Sequence, residues 1–129
     1  SQVYMQSEYP TDLTALNDAG GALSIEFRVQ RMPTSVVELR MDCKYPCSGA
    51  VRFTKVLLDS PLGEWTKRAV PVACFQEAGL NLAQVNTAFV LATEGDITLD
   101  ISEIKLTTMP EIRSIVSCAD LVNDTLLLD

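Results

Sequence analysis

The chain has 129 residues, 47% apolar and 21% charged, with 17 acidic against 10 basic side chains and a net charge of −7. That length suits one domain with a true core, and the acidic balance excludes nucleic acid and an anionic membrane surface as partners. Histidine is absent, which removes the Ser-His and Cys-His nucleophile pairs and the commonest zinc ligand.

No apolar run is long enough to cross a bilayer. The chain opens on Ser1 rather than Met and shows no signal peptide, as expected of a processed or excised piece. Residues 1–20 carry no clean period and read as a lead-in, with a helical turn near Leu13–Asn17 and punctuation at Gly20-Gly21. Leu23, Ile25, Phe27 and Val29 then alternate with Ser24, Glu26, Arg28 and Gln30, which predicts a half-buried strand. A second strand sets Val37, Leu39 and Met41 against Glu38, Arg40 and Asp42. Residues 50–58 predict a third, in which Val51 and Phe53 share one parity and Val56 and Leu58 the other, implying a bulge or two covered faces. Residues 64–75 predict a fourth; Pro71 cannot donate to a ladder and suggests an edge or a bulge. A connection with one helical turn capped by Asn81 leads to a fifth strand over residues 87–95. In the sixth, Ile97, Leu99 and Ile101 lie on odd positions and Ile104 and Leu106 on even ones, so the phase slips at Ser102-Glu103. Ile112–Cys118 reads as one more strand, and residues 119–129 as a tail. Strands separated by turns, with little helix, predict an all-β domain over residues 21–118, an antiparallel two-sheet sandwich.

Four cysteines allow three pairings. Cys43 and Cys47 enclose three residues, one more than a redox CxxC, and no histidine completes a zinc site. The spacing favours a small disulfide loop from Cys43 to Cys47, with Cys74 and Cys118 available for a second bridge. Four free, half-buried thiols in a cytosolic protein are the alternative. Oxidised cysteines would place the domain in the periplasm or outside the cell.

The block from Trp65 to Leu106, with "PVACF" at Pro71–Phe75 and "CKYPC" at Cys43–Cys47, resembles the jelly-roll, galactose-binding-like modules of carbohydrate-active enzymes. Within these it is most similar to the C-terminal domain of bacterial exo-β-1,3/1,4-glucanases of glycoside hydrolase family three. The resemblance covers residues 22–107. It implies a non-catalytic accessory domain of a secreted or periplasmic β-glucan-degrading hydrolase, docked on the catalytic domains of the same chain and contacting β-glucan oligosaccharide. An independent carbohydrate-binding module and a purely structural or dimer-forming sandwich are the alternatives.

Sugar sites need aromatic platforms plus amides and carboxylates for hydroxyls. Trp65 is one candidate: strict alternation turns it away from Val70 and Val72, while a bulge would return it to the rim of the core. Tyr45, inside the cysteine loop, is another. Glu94 and Asp96 flank Gly95 and suit a sugar hydroxyl, a calcium ion or an ordinary solvated turn. The phenylalanines of the strands belong in the core. No cofactor is implied, because a structural calcium would need a run of oxygen ligands that the sequence does not show. No carboxylate pair stands out for glycoside hydrolysis, and a small sandwich is expected to lack a deep pocket.

Overall fold

The structure, a computed structural model, describes residues 2–122, and the side chains of residues 11–121. Among the described residues, seven strands form two antiparallel sheets. One sheet runs β1 (Gln2–Thr11), β6 (Val85–Thr93), β3 (Val37–Cys43), β4 (Ser48–Arg52). The other runs β5 (Trp65–Pro71), β2 (Ala22–Arg31), β7 (Thr98–Thr107). The expected all-β sandwich is therefore the architecture. Val29, Val37, Leu39, Met41, Leu57, Val70, Val72 and Phe75 are fully buried between the layers. Phe27 from the three-stranded sheet meets Phe53 edge-on, with ring centroids 6.0 Å apart, an arrangement that aromatic quadrupoles favour.

The first, second and sixth predicted strands lie where alternation put them, as β2, β3 and β7. β7 slips in register against β2, since Glu26 faces Glu103 and Phe27 faces Ile101. Ser102 is the extra residue, at the predicted phase change. Pro71 is the last residue of β5, an edge strand. Asn81 caps a 3-10 turn at Leu82–Gln84 by accepting from the Ala83 N–H at 3.1 Å.

Four expectations need correction. Residues 2–11 form β1, paired with β6 from Gln2↔Ala92 to Thr11↔Val85, rather than a lead-in. The residues of β1 carry no clean apolar–polar alternation of their own, so only the pairing with β6 identifies the strand. The predicted third strand stops at Arg52 and continues as the helix α2 (Thr54–Leu58), the second after α1 (Thr14–Asp18). Phe53, Val56 and Leu57 are buried at i, i+3 and i+4, which is helical spacing. The Phe53 N–H donates to the Val37 carbonyl at 2.8 Å, and the Thr54 hydroxyl oxygen accepts from the Val37 N–H at 2.9 Å. Likewise the predicted fourth strand ends at Pro71, and Val72–Glu77 is a helix that buries Val72, Cys74 and Phe75. Ile112–Cys118 is not a strand: it holds a 3-10 turn at Ile112–Ser114 and a single bridge from Ile115 to Ala69. The next residues form a short helix, Cys118–Val122, whose Leu121 is fully buried, so the tail begins in the core. Residues 123–129 of the expected tail lie outside the described residues.

Both disulfides form, Cys43 with Cys47 and Cys74 with Cys118, and no cysteine is free. The second ties the Val72–Glu77 helix to the Cys118–Val122 helix across a sequence separation of 44. Gly49 lets β4 pack against the first of these helices: a Cβ there would lie 2.5 Å from the Phe75 carbonyl oxygen, closer than van der Waals contact allows.

On the outer face of the three-stranded sheet, Arg28 Nε and Nη2 donate to Asp100 Oδ2 at 3.1 and 2.8 Å. Gln30 Nε2 donates to the same oxygen at 2.8 Å. The Arg28 guanidinium also lies 4.7 Å from the centre of the Trp65 ring, a cation–π contact. The hydrogen bonds from Gln30 and then Arg28 hold the Asp100 carboxyl below its ordinary value.

The cross-link and the carboxylate each lead to a measurable outcome. Replacing both Cys74 and Cys118 by alanine should lower unfolding stability by about 2–4 kcal/mol, because the closed loop is long; the same change at Cys43 and Cys47 should cost less. Denaturant midpoints measure both, and equal losses would contradict the ordering. Asp100 has a depressed folded pKa, so what it contributes is present above the unfolded value of about 3.9 and lost as pH falls through the folded one. Acidification through that window should release Arg28 and change the emission of Trp65, the chain's single tryptophan. Asp100→Asn should remove that transition; an unchanged acid profile in the variant would assign it elsewhere.

Candidate functional site

β3 sets up the site by parity. Val37, Leu39, Met41 and Cys43 turn into the core, each no more than 2% exposed. Arg40 and Asp42 are thereby forced onto the outer face of the four-stranded sheet. There Arg40 Nε donates to Asp42 Oδ1 at 2.7 Å and Nη2 to Oδ2 at 3.4 Å, a forked pair of partly exposed groups. The β3–β6 register places Thr87 opposite Asp42. The buried Thr87 hydroxyl donates to the Asn86 side-chain oxygen at 3.3 Å.

The cysteine turn closes one end. The Cys43 N–H donates to the Cys47 carbonyl at 3.0 Å, and the Cys47 N–H to the Lys44 carbonyl at 3.1 Å. The peptide between Tyr45 and Pro46 is cis. The Asn81 N–H reaches Cys47 Sγ at 3.4 Å, which anchors the turn to the loop before β6. Tyr45 projects from it, 92% exposed. Between this turn and the sheet lies an open groove of about 430 Å³, lined by Arg40, Asp42, Tyr45, Pro46, Asn86 and Thr87. Its volume falls within the range of small-ligand sites. The sequence reading expected no deep pocket, and this groove is an open one; among its residues that reading singled out only Tyr45. Arg40 and Asp42 were legible as outward positions of a strand, but their meeting with Asn86 and Thr87 depends on strand pairing between distant segments.

The other candidates lie elsewhere. Trp65 opens β5 on the outer face of the opposite sheet, 47% exposed. The β2–β5 register is unbroken from Arg28↔Trp65 to Ala22↔Pro71, so no bulge returns the ring to the core. Arg28 occupies one of its faces. Glu94 and Asp96 are exposed in the β6–β7 turn. The backbone of Asp96 is bound to Thr34: its N–H donates to Thr34 Oγ1 at 2.9 Å, and its carbonyl accepts from the Thr34 N–H at 3.2 Å. Tyr45, Trp65 and the Glu94–Asp96 turn thus do not converge.

Among the described residues, the acidic and cysteine side chains that come together are Cys74, Glu77 and Cys118. Both sulfurs are spent in a disulfide, so neither offers a thiolate to a metal. Asp100, and Asp12 through its bonds from Thr14, are held below the ordinary carboxyl value. That is the opposite of what a general acid in glycoside hydrolysis requires. Among the described residues, no helix is long and apolar enough to cross a membrane.

A family model described as "Galactose-binding domain-like" (Exop_C) matches residues 1–106. The match includes β1, which the resemblance over residues 22–107 left out. Curated protein sequences give no match. Among solved structures, the chain is similar to the exo-1,3/1,4-β-glucanase ExoP from a Pseudoalteromonas species, with a TM-score of 0.67 and 19% identity over 90% of this chain and 14% of that one. It is also similar to the extra C-terminal domain (X) of that enzyme, with a TM-score of 0.64 and 21% identity over 88% of this chain and 61% of that one. The chain spans less than two thirds of either, and likeness at these identities speaks to the fold. With residues 1–106 matched by the family model, the chain belongs to the galactose-binding domain-like family (Exop_C), and both structures share its fold.

Proposed function

We propose that the chain is a non-catalytic accessory domain of a secreted or periplasmic β-glucan-degrading glycoside hydrolase. It docks on the catalytic domains of the same chain and contacts β-glucan. The observation that carries this reading is family membership, together with likeness to the extra C-terminal domain of an exo-1,3/1,4-β-glucanase. Two disulfides fit an oxidising compartment. The exposed Met109 and Ile112 favour docking. They flank Glu111, which pairs with Lys67, on the segment that runs beside β5. Trp65 opens that same strand and extends the docking face, and Glu94 and Asp96 are further polar contacts for a neighbouring domain. The 92% exposure of Tyr45 favours a second reading, an independent carbohydrate-binding module.

The chain expressed alone should release no reducing sugar from laminarin or barley β-glucan. Deleting it from the parent hydrolase should lower kcat/KM on the polymers by up to about tenfold through lost effective concentration, while turnover of a small aryl β-glucoside changes less. Hydrolysis by the isolated chain would overturn the non-catalytic reading. Unchanged polymer activity and unchanged oligomeric state after deletion would overturn docking and contact together.

A further inference from the structure

The outer groove of the four-stranded sheet has a chemistry that narrows its ligand. Among the described residues that line the groove the one cation, Arg40, is paired with Asp42, so the lining itself carries no net charge, and the chain carries a net charge of −7. The fork to Asp42 uses two of the five N–H donors of a guanidinium. A donor-rich plane beside an acceptor-only carboxylate matches adjacent hydroxyls, each of which both donates and accepts. Asn86 and Thr87 add an amide and a hydroxyl on the neighbouring strand. Tyr45 supplies a broad ring at the mouth on a cross-linked turn, so little backbone freedom is lost when a ligand stacks on it.

We propose that this groove is the saccharide site of the domain. Its ligand is a neutral pyranoside whose adjacent hydroxyls engage the Arg40–Asp42 fork while Tyr45 covers the ring. Arg40 and Asp42 determine specificity, and the Cys43–Cys47 turn sets the height of the Tyr45 wall. Trp65, on the opposite sheet with one face against Arg28, is not part of this site. The proposal rests on the reading that the domain contacts saccharide, and its test separates the two.

The full chain is titrated calorimetrically with laminaritriose, cellotriose, a neutral mannotriose and the anionic trigalacturonate. Thermal melts of every variant check folding, and the high exposure of Tyr45 makes Tyr45→Ala safe in that respect. The expected result is binding of a neutral trisaccharide that weakens about tenfold or more in Tyr45→Ala and in Asp42→Asn, weakens in Arg40→Lys, which keeps the charge but loses the fork, and is unchanged in Trp65→Ala. Binding of mannotriose alone with this pattern upholds the groove and overturns the β-glucan reading. Glucan binding lost in Trp65→Ala but kept in Tyr45→Ala upholds glucan contact and overturns the groove. Preference for trigalacturonate, or no binding of any saccharide at millimolar concentration, overturns the groove.

Discussion

Strand β3 has only two faces to give its side chains, and the core claims one of them. Val37, Leu39, Met41 and Cys43 are buried between the sheets, where each large apolar side chain is worth about 1.5–3 kcal/mol relative to exposure. Glu38, Arg40 and Asp42 must then face outward, because a one-residue slip would bury three charged groups and expose the whole apolar set. β3 lies between β6 and β4 in its sheet, so hydrogen bonds on both edges lock this parity. The Arg40–Asp42 fork, its neighbours on β6 and the turn that follows Cys43 all inherit their places from that one constraint. Core and groove are two sides of one strand.

The cysteine turn extends the logic from strand to loop. Cys43 is the last inward residue of β3, and its disulfide to Cys47 starts from inside the sandwich. The turn therefore begins at a fixed point, is closed by the bridge and is held at its far end by Asn81. Closing so short a loop contributes less to stability than the Cys74–Cys118 bridge does. Its effect is positional: it fixes the backbone that carries Tyr45 out of the fold. The opposite sheet uses its outer face differently. There Arg28 gathers Asp100 and the ring of Trp65 into one cluster, so the larger aromatic is partly occupied by its own protein while the smaller one stands clear.

How much of this was readable depended on whether the determining contacts are local. β2 and β7 show their alternation, and even the extra residue at Ser102 is visible as a change of phase. Asn81 announced its cap and the short spacing of Cys43 and Cys47 their bridge, whereas Cys74 and Cys118 were only available for a second one, since nothing local records that their helices meet. The segment Phe53–Leu58 misled because so short a stretch cannot separate a period of two from a helical one; the Val37 backbone groups that receive Phe53 and Thr54 decided for the helix. β1 was hidden because its strand character comes from pairing with β6. Tyr45 could be picked out from its position inside a short loop. Arg40 and Asp42 looked like ordinary surface charges, since nothing local records that β6 brings Asn86 and Thr87 beside them.

On the proposed reading the domain adds a cross-linked surface to a larger hydrolase, with a groove on one sheet and exposed apolar side chains beside the other. Whether saccharide binds that surface, and at which residues, is the decisive question. Amide chemical-shift mapping of the isotope-labelled chain during titration with laminaritriose answers it residue by residue. Perturbations should concentrate at residues 40–48 and 86–87. Perturbations centred on Trp65 and Arg28, with residues 40–48 silent, would contradict the groove as the point of contact.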